Sequence, residues 1–242
     1  MSPGTIHGVG LGPGDPDLMT VRADRLLRAA RHVAFFRKPG RQGQARRIVE
    51  GLLAEGVTEY PMEYPVTTEI EVTDPRYNAL LSAFYKDSSD RLRVLSERGE
   101  NVVVLCEGDP FFYGSFMHLY ARLNGKVPVE VVPAVTGMSG AWTATGTPIT
   151  WGDDVLTVLM GTLPEDDLAR RMADTDALVV MKIGRNFAKV RRALARAGLT
   201  DRAWLVEFAA MPEQTVTPLA EAGDKVTPYF SIVIVHGNGR RP

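Results

Sequence analysis

Short apolar runs bounded by turn residues recur along the chain and constrain its fold more than any other feature. They cover residues 6–11, 33–36, 102–106, 129–132, 155–160, 177–181, 203–208 and 230–235. Runs of this length without polar alternation read as strands buried on both faces. Between the earlier runs lie segments with helical spacing, such as Ala23, Leu26, Leu27 and Ala30 after Thr20, a residue suited to cap a helix N-terminus. Alternating strand and helix predicts an α/β fold. Helices are also expected over residues 111–123 and 136–145, the second rich in small residues (Gly137, Gly140, Ala141, Ala144) that allow close approach to another surface. Two turn-rich stretches, Asn124-Gly125-Lys126-Val127-Pro128 and Thr145-Gly146-Thr147-Pro148, put a domain boundary between about 125 and 150, taken as residues 1–130 and 131–242. There is no repeat of solenoid period and no low-complexity tract, and residues 237–242 are expected to fray.

Composition narrows the function classes. The 242 residues carry 28 Lys+Arg against 29 Asp+Glu, a net charge of -1, and 45% are hydrophobic. A general binder of nucleic acid or of membrane surfaces would show an excess of cations, so neither partner is expected. No uncharged apolar run approaches the roughly 20 residues that span a bilayer, and Met1-Ser2-Pro3-Gly4 lacks a basic region followed by an apolar one. A soluble, cytoplasmic protein is expected. The single cysteine, Cys106, excludes an internal disulfide and agrees with a reducing compartment. No Ser/His/Asp or Cys/His arrangement stands out, and His7, His32, His118 and His236 lack metal-ligand spacing, so no metal is expected.

The densest glycine cluster, Gly8-Val9-Gly10-Leu11-Gly12-Pro13-Gly14-Asp15-Pro16, follows the first strand, where nucleotide loops of α/β proteins sit. A dinucleotide loop would need glycine three residues after Gly10, where Pro13 stands, and Pro16 delays the helix whose amides would hold a pyrophosphate. A Walker loop is excluded because no Gly-Lys-Ser or Gly-Lys-Thr occurs. A tight structural turn would show the same glycines. The second candidate loop, Glu107-Gly108-Asp109-Pro110-Phe111-Phe112-Tyr113-Gly114-Ser115, puts a carboxylate and aromatics at the C-terminal end of a strand, the ligand edge of an open α/β sheet. An ordinary Asp-Pro turn with core phenylalanines would look alike.

Taken together, these loops resemble those of the tetrapyrrole (corrin and porphyrin) methyltransferases. Val9-Gly10-Leu11-Gly12-Pro13-Gly14-Asp15 with Leu18-Met19-Thr20 is similar to the family's first loop, and Gly108-Asp109-Pro110 with Tyr113-Gly114 to its second. Val132-Pro133-Ala134-Val135-Thr136 resembles the third, with alanine where the family commonly has glycine. Met181-Lys182-Ile183-Gly184, Val206-Glu207-Phe208-Ala209 and Tyr229-Phe230-Ser231-Ile232-Val233 resemble the remaining cofactor walls. Residues 105–117 and Glu63-Tyr64-Pro65-Val66-Thr67-Thr68 look most like the branch that methylates precorrin-2 at C-20, in which Glu107 stands where many relatives carry glycine.

The resemblance implies two α/β domains with a cofactor cleft between them, S-adenosylmethionine as co-substrate, a tetrapyrrole substrate and a homodimer. Carried over by motif position, the cofactor wall is Pro13, Glu107, Gly108, Asp109, Phe112, Tyr113, Thr136, Gly137, Ile183, Phe208, Ala209 and Ile232. Asp109 would be the polar anchor, since a carboxylate accepts hydrogen bonds from ribose hydroxyls or an amino group. Ile183 and Phe112 would flank the adenine or the methionine arm. The basic stretch after residue 22 has two readings. Arg22, Arg25, Arg28 and Arg31 fit a solvated helix face, whereas Arg37, Lys38 and Arg41, in a glycine-containing loop after a strand, are candidates to hold substrate carboxylates. Cobalt-factor II as substrate, another macrocycle carbon as target and a non-catalytic nucleotide-binding module are the alternatives. The catalytic base is not assigned by sequence.

Overall fold

In the computed structural model, which describes residues 2–67, 70 and 74–241, the apolar runs become strands that sort into two sheets. Met1, Thr68 and Pro242, named above, lie outside the described residues. Strands β1 (Ile6–Gly10), β2 (His32–Arg37), β3 (Thr58–Glu63), β4 (Val102–Cys106) and β5 (Val129–Val132) alternate with helices α1 (Val21–Ala29), α2 (Gln44–Ile48), α3 (Pro75–Glu97) and α4 (Phe116–Leu123). They pair in the order β3-β2-β4-β1-β5, every neighbouring pair parallel. Successive side chains of a strand point to opposite faces. Val102, Val104 and Cys106 therefore share a core with Leu92 and Leu95 of α3 and Phe116 and Leu119 of α4. Val103 and Leu105 share the other with Ala23 and Leu27 of α1 and Ala45 and Ile48 of α2. Helices cover both faces, which is why these strands read as unbroken apolar runs.

The connections through α1 and α2 step toward the β3 edge, and those through α3 and α4 step back across the other face. The stepping direction thus reverses between β1 and β4, neighbours in the sheet. That is a topological switch point, where the segments leaving the two strands diverge and open a crevice at their carboxyl ends. Helix α1 starts where the sequence places its cap, Thr20 Oγ1 accepting from the Ala23 N–H at 3.2 Å.

The second sheet contains β6 (Leu156–Met160), β7 (Ala177–Met181), β8 (Ala203–Glu207), β9 (Thr215–Pro218) and β10 (Ser231–Val235), with α5 (Gly137–Ala144), α6 (Glu165–Met172) and α7 (Phe187–Arg196). Its order is β6-β7-β10-β8-β9, and only β6 and β7 pair in parallel. Leu178, Val180, Leu205 and Val233 pack with α6 and α7, while Val179, Val206, Ile232 and Ile234 pack under α5.

Three expectations change. The chain divides into two compact units after Thr136, not after residue 130, because β5 pairs with β1 from Ile6↔Val129 to Val9↔Val132 and so belongs to the first sheet. The helix expected over residues 111–123 starts only at Phe116, since Tyr113 has φ of 54°, outside any right-handed helix. The tail is tied down: the Gly237 N–H donates to the Ile149 carbonyl at 2.9 Å, the Gly239 N–H to Asp154 Oδ2 at 3.3 Å, and Arg241 lies 4.5 Å over the Trp151 ring. Among the described residues no helix is long and apolar enough to cross a membrane.

Candidate functional site

Because the first sheet is all parallel, the loops leaving β1, β2, β4 and β5 emerge at one edge. Gly10 shows how tightly three of them meet. A Cβ there would lie 2.6 Å from Ala134 Cβ, 2.8 Å from the Gly108 carbonyl oxygen and 2.9 Å from Pro110 Cδ, so only glycine fits. The first and second loops are bonded along their backbones, with the Leu11 N–H donating to Cys106 O and the Gly108 N–H to Gly12 O, both at 2.9 Å. Pro13 is buried in this contact. Asp109 completes it: Oδ1 accepts from the Phe111 N–H at 2.8 Å and Oδ2 from the Ala134 N–H at 3.0 Å. The carboxylate expected to anchor a ligand is thus aimed at two backbone donors and ties the second loop to the third. The segment after the glycine loop turns through residues 16–18, and α1 begins only at Val21, so no helix N-terminus faces the loop as a pyrophosphate site requires.

Glu107 leaves β4 at the switch point. Its Oε1 accepts from the Ala45 N–H of α2 at 3.1 Å. The side chain keeps accessible surface, but the protein packed around this strand end desolvates the carboxyl and raises its pKa to about 7, against the opposing effect of the Ala45 hydrogen bond. Buried Cys106 beside it has its thiol pKa raised, first by burial and then by the charges of Glu107 and Asp109, which makes it inert. Phe112 is half-buried, and Phe111 and Tyr113 are exposed on the same loop. Below them Ser115 Oγ meets the hydroxyls of Tyr64 and, at 3.1 Å, Tyr85. Sequence reasoning missed Tyr85 because nothing in an amphipathic helix signals that a buried hydroxyl will find a partner thirty residues away. Of the three cations proposed for substrate, Arg37 is held by Glu63 at 2.7 Å, while Lys38 and Arg41 are exposed at the edge.

In the second unit β6, β7 and β8 run one way and β10 the other, so the ends of the first three and the start of β10 share an edge. The residues expected from the second half of the chain gather there: Ile183 after β7, Phe208 and Ala209 after β8, and Ile232 in β10, paired with Val206. Gly137, first residue of α5, would place a Cβ 3.9 Å from Ile232 Cδ1, and Thr136 is the last residue of the first unit. Ala209 and Ile232 share the core under α5. Ile183 does not present its side chain as expected. It is fully buried on the opposite face with Leu178 and Val180, because the left-handed turn at Lys182 interrupts the alternation that would return it to the face of Met181. Its backbone alone remains at the loop.

Left-handed backbone marks both edges. Among the described residues the non-glycine positions with positive φ are Tyr113, Lys182, Phe208 and Ala210, at 53–57°, and all four lie in these strand-end loops. Each costs of order 1–3 kcal/mol and persists only where its surroundings enforce it, a pattern typical of binding loops.

Comparisons with known proteins identify the family. Residues 5–223 match the family described as Tetrapyrrole (Corrin/Porphyrin) Methylases. The chain is 50% identical over 239 residues to a precorrin-2 C(20)-methyltransferase of Sinorhizobium sp, covering 99% of this chain and 98% of that protein. It is 29% identical over 238 residues to a cobalt-precorrin-2 C(20)-methyltransferase of Salmonella typhimurium, covering 96% of each. A solved uroporphyrin-III C-methyltransferase from Thermus thermophilus, complexed with S-adenyl homocysteine, superposes with a TM-score of 0.69 at 26% identity over 96% of this chain and 92% of that one. With matching loops, fold and near full-length sequence, the chain belongs to the tetrapyrrole (corrin/porphyrin) methylases.

Proposed function

We propose that this protein transfers the methyl group of S-adenosylmethionine to C-20 of precorrin-2. The observation that carries the reading is the 50% identity, over nearly the whole of both chains, to the Sinorhizobium protein of that name. The weaker likeness, 29%, to the protein named for the cobalt-containing substrate favours the metal-free tetrapyrrole. The residue types that the family resemblance assigns to the cofactor wall suit such a co-substrate. Adenine and an aliphatic sulfonium arm need apolar walls, which Phe112, Phe208, Ala209 and Ile232 offer. The ribose and the amino-acid end need hydrogen-bonding groups, available from the backbone of Pro13, Gly108, Thr136, Gly137 and Ile183 and from the side chain of Glu107. Tyr113 is assigned to the same wall, and Asp109 serves it by fixing two loops against each other. Lys38 and Arg41, with Arg37 as a paired third, are assigned to the substrate carboxylates.

Bound S-adenosylmethionine supplies a methyl that is already electrophilic. The chain's own work is orientation, which in well-aligned systems is equivalent to about 10⁵ M or more of effective concentration. The reading extends to a homodimer, as the family resemblance implies, and to the cytoplasm, as the sequence composition leads one to expect. Calorimetry tests the first step: heat is expected from S-adenosylmethionine and its demethylated product. Binding of a nicotinamide dinucleotide with none from S-adenosylmethionine contradicts the reading, and tight S-adenosylmethionine binding without turnover on any tetrapyrrole would instead make the chain a non-catalytic module.

A further inference from the structure

Methylating a ring carbon that carries hydrogen leaves a proton to remove. Under the function proposed above, on which this inference rests, an electron pair of the macrocycle forms the new bond from C-20 to the methyl carbon. The sulfur–methyl bond breaks with its pair going to sulfur. The cationic macrocycle regains its conjugation when the C-20–hydrogen bond breaks, its pair returning to the ring and its proton passing to a base.

The acids at the strand-end edge of the first unit can be sorted by what already holds them. Asp15 Oδ1 accepts from the Asp17 N–H at 2.9 Å, Glu63 is paired with Arg37, and both oxygens of Asp109 are turned onto backbone N–H groups. Asp17 stands exposed on the turn beyond the glycine loop. Glu107, exposed like Asp15 and Asp17, differs from them in its place at the end of β4, where the surrounding protein desolvates its carboxyl. One oxygen is fixed by the Ala45 N–H, and the carboxyl forms no ion pair among the described residues. The charged groups on the elements around it are engaged elsewhere or exposed: Arg46 is bonded to Glu59, Arg47 to Gln44 and Arg37 to Glu63, Lys38 and Arg41 face solvent, and Cys106 is a buried thiol. Glu107 also stands at the switch point, on the strand end whose loop is bonded to the glycine loop.

We infer that Glu107 is the base that accepts the proton released from C-20. Holding one oxygen leaves the other at a defined position, and an anchored acceptor needs little reorganisation when the proton arrives. Desolvation without a compensating cation raises the pKa to about 7, which makes the carboxylate a stronger base than an unperturbed glutamate while leaving it largely ionised above neutrality. The sign follows: the ionised form does the work, so the rate rises with pH through about 7 and levels off above it.

Glu107→Gln and Glu107→Asp test this. Glutamine keeps the size and still accepts the Ala45 hydrogen bond but cannot take up a proton, so kcat should fall by about 10²–10⁴-fold, far more than any change in S-adenosylmethionine affinity, and the acidic limb of the kcat profile should disappear. Aspartate should retain that limb at reduced rate. In the free protein, infrared difference spectra should show a carboxyl titrating near neutrality in wild type and missing in Glu107→Gln. Wild-type kcat in Glu107→Gln, an unchanged acidic limb, or a Glu107 carboxyl titrating in the ordinary range for glutamate would each overturn the assignment while leaving the proposed methyl transfer intact. A wild-type protein that delivers no methyl to C-20 overturns the function and the base together.

Discussion

In the first unit the loops leaving β1, β4 and β5 hold one another, through main-chain bonds from Gly108 to Gly12 and from Leu11 to Cys106 and through the Asp109 carboxylate, which accepts from the Phe111 and Ala134 N–H groups. In the second unit the corresponding edge belongs to a mixed sheet. It is shaped by left-handed Lys182, Phe208 and Ala210 and by apolar side chains, with one buried acid, Glu207, bonded to Lys225 and to Thr215. Glycine and hydrogen bonding build one edge, and strained backbone over an apolar core builds the other. The difference implies that the two edges respond differently to substitution.

The largest effect is expected at Gly10. Gly10→Val forces side-chain atoms into the backbone of Gly108 and the side chains of Ala134 and Pro110, and should cost about 3 kcal/mol. Gly137→Ala, whose nearest neighbour is 3.9 Å away, should be neutral or stabilising by up to about 1 kcal/mol. Urea unfolding separates the two. Trp142, Trp151 and Trp204 all lie in the second unit, so tryptophan fluorescence follows that unit while circular dichroism follows both. Equal stability of wild type and Gly10→Val would break the picture of loops packed backbone to backbone.

Asp109→Asn comes next. The amide offers one acceptor oxygen and turns an NH₂ group toward a backbone donor, so one of the two bonds is lost at a cost of about 1–3 kcal/mol, and S-adenosylmethionine affinity falls as the loops loosen. Lost affinity with unchanged thermal stability would return Asp109 to a purely ligand-facing role. A smaller effect is expected from Lys38→Gln with Arg41→Gln, which should raise KM for the tetrapyrrole at low salt, less so as salt rises, with little added by Arg37→Gln because Glu63 already holds Arg37. Unchanged KM at low salt would leave these residues as solvated surface.

The smallest effect belongs to the second edge. Ala210→Gly relieves a left-handed alanine that costs roughly 1–2 kcal/mol, offset by about 0.5–1 kcal/mol of glycine entropy, so stability should rise by up to about 1 kcal/mol. A loss of stability would show that the strain is not there.

These differences also explain what the sequence discloses. The central strands are legible because covered faces require continuous apolar runs, and β3 and β9 are not, because both are edge strands with prolines, Pro61 and Pro218, and little buried surface. The antiparallel return of β10 is invisible for a similar reason: a strand buried on both faces reads the same in either direction. Among site residues, the loops of the first unit are readable from glycine spacing and from resemblance. The Asp109 and Glu107 partners are not, since Ala134 and Ala45 donate through their backbones and leave no side-chain signature. The buried position of the Ile183 side chain is not legible either, because a single left-handed residue, Lys182, reverses the face that alternation predicts.

The most direct test of the proposed activity is to incubate the purified protein with precorrin-2 and S-adenosylmethionine labelled with carbon-13 in its methyl group, and to locate the label in the tetrapyrrole by NMR. The account predicts a single labelled methyl on C-20. Label on a different carbon, or none in the tetrapyrrole while S-adenosylmethionine stays bound and intact, would contradict it.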